Sequence, residues 1–378
     1  MKCEANRKAL LDAFTLASSV TQAKSQKPIL RHVLMDADPD RGTFLMATNL
    51  EIGVRVPVVG CVVDEPGVAM LDGERVGSAL ASYPDDQVRI TSEGSILSIV
   101  GSRSKSSLTS DDAALFPIAP SFPGGGPSWT ISHVDLGLLA DRTVFATDAK
   151  SSATYAFGGC FLEFGPESLS MVATDGRRLS IMTVPADGGL SDIKAVVTPA
   201  ALKLADRLFE GDAAIRVAFS GQNPLSPSMI HLKGDSGEIA ARLIEGRFPA
   251  YRSFMLDDFR SKARTTAGAF RSAVKCASIV TGEESRGVDM AFTAESMGSP
   301  AMVAISANVA DRGSSESSLE IEYEGPPVTV CLASQYLLES LAKLDADLPL
   351  TIRLKDADTM VELSLADGWI HTLMTLSR

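Results

Sequence analysis

An α+β unit repeated three times is the fold class that the 378-residue sequence predicts. Three observations predict it. Apolar residues at i, i+3, i+4 and i+7 spacing, the mark of an amphipathic helix, recur in "RKALLDAFTLASSVTQ" (Arg7 to Gln22), "HVDLGLLADRTVFATD" (His133 to Asp148) and "AGAFRSAVKCASIVTG" (Ala267 to Gly282). Each is followed by a strand–turn–strand pattern. Each third then carries a second helical pattern and two or three strands that alternate with period two.

Taken in order, the first third has its second helix at "DGERVGSALASY" (Asp72 to Tyr83), the middle third at "TPAALKLADRLF" (Thr198 to Phe209) and the last at "ASQYLLESLAKL" (Ala333 to Leu344). Asp72 suits an N-cap, and Thr198-Pro199 supplies an N-cap followed by proline at the first helical position. The strands that follow read "QVRITSEGSILSIVG", "AIRVAFSG" with "MIHLKG", and "PLTIRLKDADTMVELSLADG". "APSFPGGGPS" (Ala119 to Ser128) and the polar "LDDFRSKART" (Leu256 to Thr265) read as linkers. The expected domains are residues 1–122, 128–256 and 257–378.

"MVATDGRRLSIM" (Met171 to Met182) first suggests a catalytic carboxylate beside two guanidinium groups. The repeat argues otherwise. "FLMATNLEIGVRV" lies over "SMVATDGRRLSIM", so Asn49 stands at the place of Asp175. Asx residues and Asp-Gly are turn formers, and Asp175 is expected to make a turn. Arg177 and Arg178 have no basic counterpart in "NLE" and remain candidates for a site in the second domain.

Composition excludes several classes. Hydrophobic residues make up 45% of the chain, ordinary for a packed core. No run approaches the ~18 apolar residues of a membrane span, and the N-terminus has acidic residues where a signal peptide has its apolar region; a cytoplasmic protein is the expectation. Five scattered cysteines without a C-x-x-C pair, and four scattered histidines, argue against a disulfide framework or a zinc site. No phosphate-binding loop, dinucleotide fingerprint, H-E-x-x-H or G-x-S-x-G occurs. The expectation is therefore no catalytic residue, no metal and no cofactor.

The net charge is −12, which by itself argues against nucleic acid, since phosphate affinity comes from Lys and Arg. The contact face matters more than the sum. Residues 1–122 hold 12 basic against 15 acidic residues, 123–256 hold 12 against 14, and 257–378 hold 11 against 18. Lys203 and Arg207 share one helix face, as do Arg271 and Lys275. Arg7, Lys8 and Lys24 flank the first helix; Arg142 and Lys150 flank that of the middle third. A solvated face explains each helix alone, whereas recurrence points to a phosphate-directed surface. No aromatic platform for base stacking accompanies it.

"KPILRHVLMDA" (from Lys27), "ATNLEIGVRV" (from Ala47), "VATDGRRLSI" (from Val172), "LIEGRFPAYRSF" (from Leu243) and "QYLLESL" (from Gln335) resemble the bacterial sliding clamp family, the β subunits of DNA polymerase III, over essentially the whole chain. The resemblance implies three clamp domains, each two helices packed on antiparallel sheets. It implies a head-to-tail homodimeric ring that encircles double-stranded DNA without sequence preference, and no catalysis. The implied partners are the replicative polymerase, the clamp loader and other clamp-motif proteins. It also implies a hydrophobic pocket for partner peptides formed by Phe157, Thr174, Gly176, Arg177, Arg178, Leu179, Pro249, Phe254, Met374 and Leu376. Lys24 and Tyr155 would face DNA, with Arg142, Lys150, Lys203, Arg207, Arg271 and Lys275 added from helical spacing. Leu108, Ile279 and Val280 would meet at the dimer interface. The sequence departs from the family pattern in its tail "MTLSR", where Thr375 replaces a proline, at Ser253, at Gly158-Gly159 and at Phe157. Two alternatives stay open: a clamp-derived scaffold that is not loaded on DNA, and an anion-binding enzyme centred on Asp175, Arg177 and Arg178.

Overall fold

The computed structural model describes the chain except residues 23, 149–154, 189–192, 222–226, 283–286, 297 and 378. Among the described residues one order of elements occurs three times. A strand leads into a helix, five strands follow, then a second helix, then three strands. The helices are α1 (Arg7–Ser18), α2 (Arg75–Ser82), α3 (His133–Thr143), α4 (Pro199–Leu208), α5 (Ala267–Ala277) and α6 (Ser334–Leu341).

Side chains or proline mark the starts of several helices, although α2 is capped at Glu74 and not at the expected Asp72. Asn6 caps α1 by accepting from the Ala9 N–H, and the Thr266 hydroxyl caps α5 through the Ala269 N–H. α4 starts at Pro199, whose missing N–H is one of the donors a helix start leaves unpaired anyway. The Asp72 carboxylate accepts from the N–H groups of Glu74 and Arg75 just ahead of α2. The first helix of each third is shorter than its apolar spacing suggests. α3 and α5 tighten into single 3-10 turns, Val144–Ala146 and Ser278–Val280.

The chain packs as two compact units. The first holds residues 1–134, 187–190 and 200–243. It contains a nine-stranded antiparallel sheet, in which strand Gly237–Arg242 pairs with Ile52–Pro57, and a five-stranded sheet that ends at Lys105–Thr109. α1 and α2 bury Leu10, Phe14, Val76 and Leu80.

The second unit holds residues 135–186, 191–199 and 244–378. Its nine-stranded sheet joins Arg178–Pro185 to Trp369–Leu373. A four-stranded sheet ends at Gly313–Glu320 on one side and Val328–Ala333 on the other. α5 and α6 bury Phe270, Val274, Leu337 and Leu341.

One linker expectation is corrected. Within Leu256 to Thr265, Ser261–Thr266 is a strand paired with both Pro349–Leu354 and Glu322–Glu324. Ser261 and Ala263 point inward, so small residues hid the alternation that Leu or Val would have displayed. Among the described residues no helix is long and apolar enough to cross a membrane.

Candidate partner-peptide site and DNA-facing residues

The turn after Ser168–Thr174 is built by its own side chains. Asp175 Oδ1 accepts from the backbone N–H groups of Arg177 and Arg178, at 2.9 and 3.0 Å. The Thr174 hydroxyl donates to the Arg178 carbonyl at 2.6 Å and accepts from the Gly176 N–H at 3.0 Å. Gly176 takes φ +84°, a left-handed value that glycine adopts without the Cβ penalty.

The first unit contains the same turn. Asn49 Oδ1 accepts from the N–H groups of Glu51 and Ile52, and the Thr48 hydroxyl bonds the Ile52 carbonyl and the Leu50 N–H. Leu50 stands at the place of Gly176 with φ +74°. The carboxylate of Asp175 is thus held by turn bonds that an asparagine reproduces, as expected of a structural residue.

Arg178 is buried, with its guanidinium fully engaged. Nε donates to Asp175 at 3.0 Å, one terminal nitrogen to Glu339 of α6 at 2.6 Å and the other to the Phe145 carbonyl at 2.7 Å. The group also lies 4.4 Å from the centre of the Tyr336 ring. Arg178 therefore braces the turn against α6 from behind, and the exposed Arg177 is the member of the pair that faces outward.

Beside the turn lies an apolar cluster of Phe161, Val172, Leu179, Ile181, Val196 and Tyr251, with Phe248 and Ile370 packed against it. Phe248 stacks on Phe161 with ring centres 4.8 Å apart. The Tyr251 hydroxyl donates to Glu163 at 2.7 Å and Arg252 donates to the same oxygen at 2.5 Å. Burial alone would raise the Glu163 carboxyl, but these bonds outweigh it and hold the group below its ordinary range. They fix the segment that carries Pro249 and Phe254, the latter residue being 61% exposed.

The tail is pinned at three successive residues. The Met374 N–H donates to the Arg177 carbonyl, the Thr375 hydroxyl to the Asp358 carbonyl and the Leu376 N–H to the Cys331 carbonyl. Thr375, where the resemblance leads one to expect a proline, so contributes a hydroxyl anchor. Met374 and Leu376 stay exposed. Phe157 packs near Gly176 and stacks on Tyr155. Thr174, Gly176, Arg177, Arg178, Leu179, Phe157 and Met374 thus gather around one turn. Pro249 and Phe254 attach to it through Tyr251, whereas Leu376 sits against the edge strand Val328–Ala333.

The DNA-facing expectations divide. Lys203 and Arg207 are exposed on one face of α4, and Lys24, Lys275 and Tyr155 are exposed as well. Arg271 is partly buried and donates to the Leu341 and Leu344 carbonyls, capping the end of α6. Arg142 is a correction. It is only 5% exposed, donates to the Lys343 carbonyl and lies 3.9 Å from the Asp367 carboxylate. A guanidinium enclosed in that way is spent on joining α3 to the chain after α6 and cannot reach a phosphate. Lys150 lies outside the described residues. Of the interface candidates, Leu108 lies on the outermost strand of the five-stranded sheet, Ile279 is 75% exposed and Val280 follows it in the 3-10 turn after α5.

The chain is similar to known proteins in sequence and in fold. Residues 130–250 match the family "DNA polymerase III beta subunit, central domain". The beta sliding clamp of Pseudomonas aeruginosa is 27% identical over 346 residues, covering 90% of each chain. That of Escherichia coli K12 is 24% identical over 372 residues, covering 97% of this chain and 96% of its own. Among solved structures, the Pseudomonas aeruginosa DNA polymerase III subunit beta superposes with TM-score 0.88 at 24% identity over 100% of both chains. The Bacillus subtilis polymerase sliding clamp does so with TM-score 0.90 at 17% identity, covering 100% of this chain and 99% of its own.

Proposed function

Because the chain belongs to the bacterial sliding clamp family, the DNA polymerase III β subunits, we propose that it is a DNA sliding clamp, a processivity factor for the replicative polymerase. Two copies join head to tail into a ring around duplex DNA, and the ring tethers polymerase and other replication or repair proteins. It carries no catalysis of its own and works in the cytoplasm. The observation that carries this reading is the threefold recurrence of one order of elements in a single chain, which a six-part ring requires of a dimer. Residues 1–122, 128–256 and 257–378 are its three clamp domains.

Partner peptides dock on Phe157, Leu179, Pro249, Phe254, Met374 and Leu376, with Thr174, Gly176 and Arg177 shaping the turn beside them and Arg178 bracing it. A few buried apolar anchors suffice for such recognition. Lys24, Tyr155, Lys203, Arg207, Arg271 and Lys275 face DNA, and Leu108 meets Ile279 and Val280 across the subunit boundary. A ring holds DNA topologically, so modest positive faces on a chain of net charge −12 are enough.

The test is retention on circular DNA after loading with a clamp loader and ATP. Protein kept on closed circles and lost on linearisation supports the ring. Equal loss from both forms would leave a scaffold that never encircles DNA.

A further inference from the structure

Cysteines 58 residues apart in sequence meet in the first unit. Cys3 lies on strand Lys2–Asn6, which pairs antiparallel with Val62–Glu65 in the register Cys3↔Val63 and Glu4↔Val62. Cys61 is two residues before Val63, so it points to the same face as Cys3, as a diagonal cross-strand neighbour. The two side chains lie close enough to perturb each other's ionisation.

The surroundings differ in the way a reactive pair requires. Cys3 is completely buried, whereas Cys61 is partly exposed. Cys61 follows the turn at Gly60 (φ +72°) and precedes the strand, outside the hydrogen-bonded ladder. The register also shifts between Lys2 and Cys3. Both features give the backbone room to reach disulfide geometry, which needs Cα atoms roughly 4.4–6.8 Å apart.

We infer that Cys61 and Cys3 form a peroxide-responsive dithiol, with Cys61 attacking a hydroperoxide and Cys3 closing a reversible intrachain disulfide. The Cys61 sulfur attacks the O–O bond; an S–O bond forms, the O–O bond breaks, and the leaving oxygen takes a proton to become an alcohol or water. Cys61 is then a sulfenic acid. The Cys3 sulfur attacks the Cys61 sulfur; the S–S bond forms, the S–O bond breaks, and the departing hydroxide leaves as water with the proton from Cys3. Two thiols lose two electrons, and the hydroperoxide gains them.

The acid–base state of the pair agrees with these roles. The neighbouring Cys3 thiol lowers Cys61 below the ordinary thiol range, which favours the thiolate that attacks. The same proximity and its burial raise Cys3, which keeps its proton until the second step. Cys160 offers a contrast: burial pushes it up to about 12, and the group bonded to it is the Thr143 hydroxyl.

The experiment uses the full chain, fully reduced, treated with a small excess of hydrogen peroxide, then blocked with iodoacetamide and digested with trypsin. The expected product is Cys3–Arg7 joined to Val56–Arg75, in unit yield with peroxide and lost on adding dithiothreitol. Cys3→Ser should instead leave Cys61 trapped as a sulfenic acid that reacts with dimedone, and Cys276→Ser should change nothing. Peroxide consumed first at the exposed Cys276 while Cys3 and Cys61 are both alkylated would overturn the proposal. So would over-oxidation of Cys61 without the cross-link. The wild-type map decides the matter even where a variant fails to fold.

Discussion

Replacing Arg178 by alanine separates a brace from a ligand contact. The guanidinium meets Asp175, Glu339, the Phe145 carbonyl and the face of Tyr336. Its side chain and that of Asp175 are 6% and 12% exposed, so the change strands a carboxylate in a largely dry place. Removing one partner of a buried ion pair costs about 3–5 kcal/mol. The Glu339 side chain is 38% exposed and recovers water, so its share falls to roughly 0.2–1 kcal/mol. The two backbone N–H groups that still hold Asp175 lower the total, and about 3 kcal/mol is expected at the bottom of the buried-pair range. The assay is urea unfolding followed by tryptophan fluorescence. The chain has two tryptophans, and Trp369 donates to the Ser180 hydroxyl at 3.0 Å within the second unit. A Trp129→Phe background therefore makes the signal report that unit alone. Arg177→Ala, exposed, should stay within about 0.5 kcal/mol of the parent yet weaken a fluorescent clamp-binding peptide. If Arg178→Ala unfolds within about 1 kcal/mol of the parent while the peptide loses affinity tenfold, the bracing argument is wrong and the guanidinium touches the ligand.

Four further outcomes are expected. Gly176→Ala should cost about 1–2 kcal/mol from the left-handed backbone alone, because an added Cβ would meet Phe157 only at 3.9 Å, an ordinary contact; Leu50→Gly should be neutral or stabilising in the same urea assay. Burial of His371, with the Arg178 charge beside it, depresses the imidazole to about 3. The unfolded chain binds that proton from about pH 6.5 downward, so stability present above pH ~6.5 is lost as pH falls toward 3, at up to about 1.4 kcal/mol per unit. His371→Phe should remove that slope, and parallel pH curves for the two proteins would refute the assignment. Lys203→Glu with Arg207→Glu should weaken DNA retention and reduce its salt dependence, while leaving the sedimentation coefficient of the free protein unchanged. Phe254→Ala and Met374→Ala, both at exposed positions, should each abolish much of the peptide binding with little change in the unfolding midpoint.

Much of this was legible in the sequence because local physics decided it. Pro199, Asp72 and the Thr-Asx turns announce themselves through backbone donors only a few residues away. Arg142 did not, because its acceptor is a carbonyl at Lys343, and helical spacing cannot tell an exposed basic residue from one engaged 201 positions later. The strand at Ser261–Thr266 was missed because its inward residues are Ser and Ala. The meeting of Cys3 and Cys61 depends on a strand pairing that cysteine spacing does not encode.

The two Thr-Asx turns show how one backbone is given different uses. By strand register Leu179 corresponds to Gly53, Arg178 to Ile52 and Met374 to Arg242, and the Met374 N–H bond to Arg177 is repeated by Arg242 to Glu51. At Gly53 a Cβ would lie 2.1 Å from the Cβ of Ala119, so the first unit fills from the chain itself the space in which the second places a leucine. Where the second unit exposes Met374, the first has Arg242, whose guanidinium donates to the Leu50 carbonyl and covers the turn. On the proposed docking site, an apolar anchor has room beside Thr174 and none beside Thr48. The exclusion rests on two residues, so Arg242→Met alone should not create peptide affinity in the first unit. Binding there with Ala119 in place would show that the turn, and not its side-chain neighbours, selects the ligand.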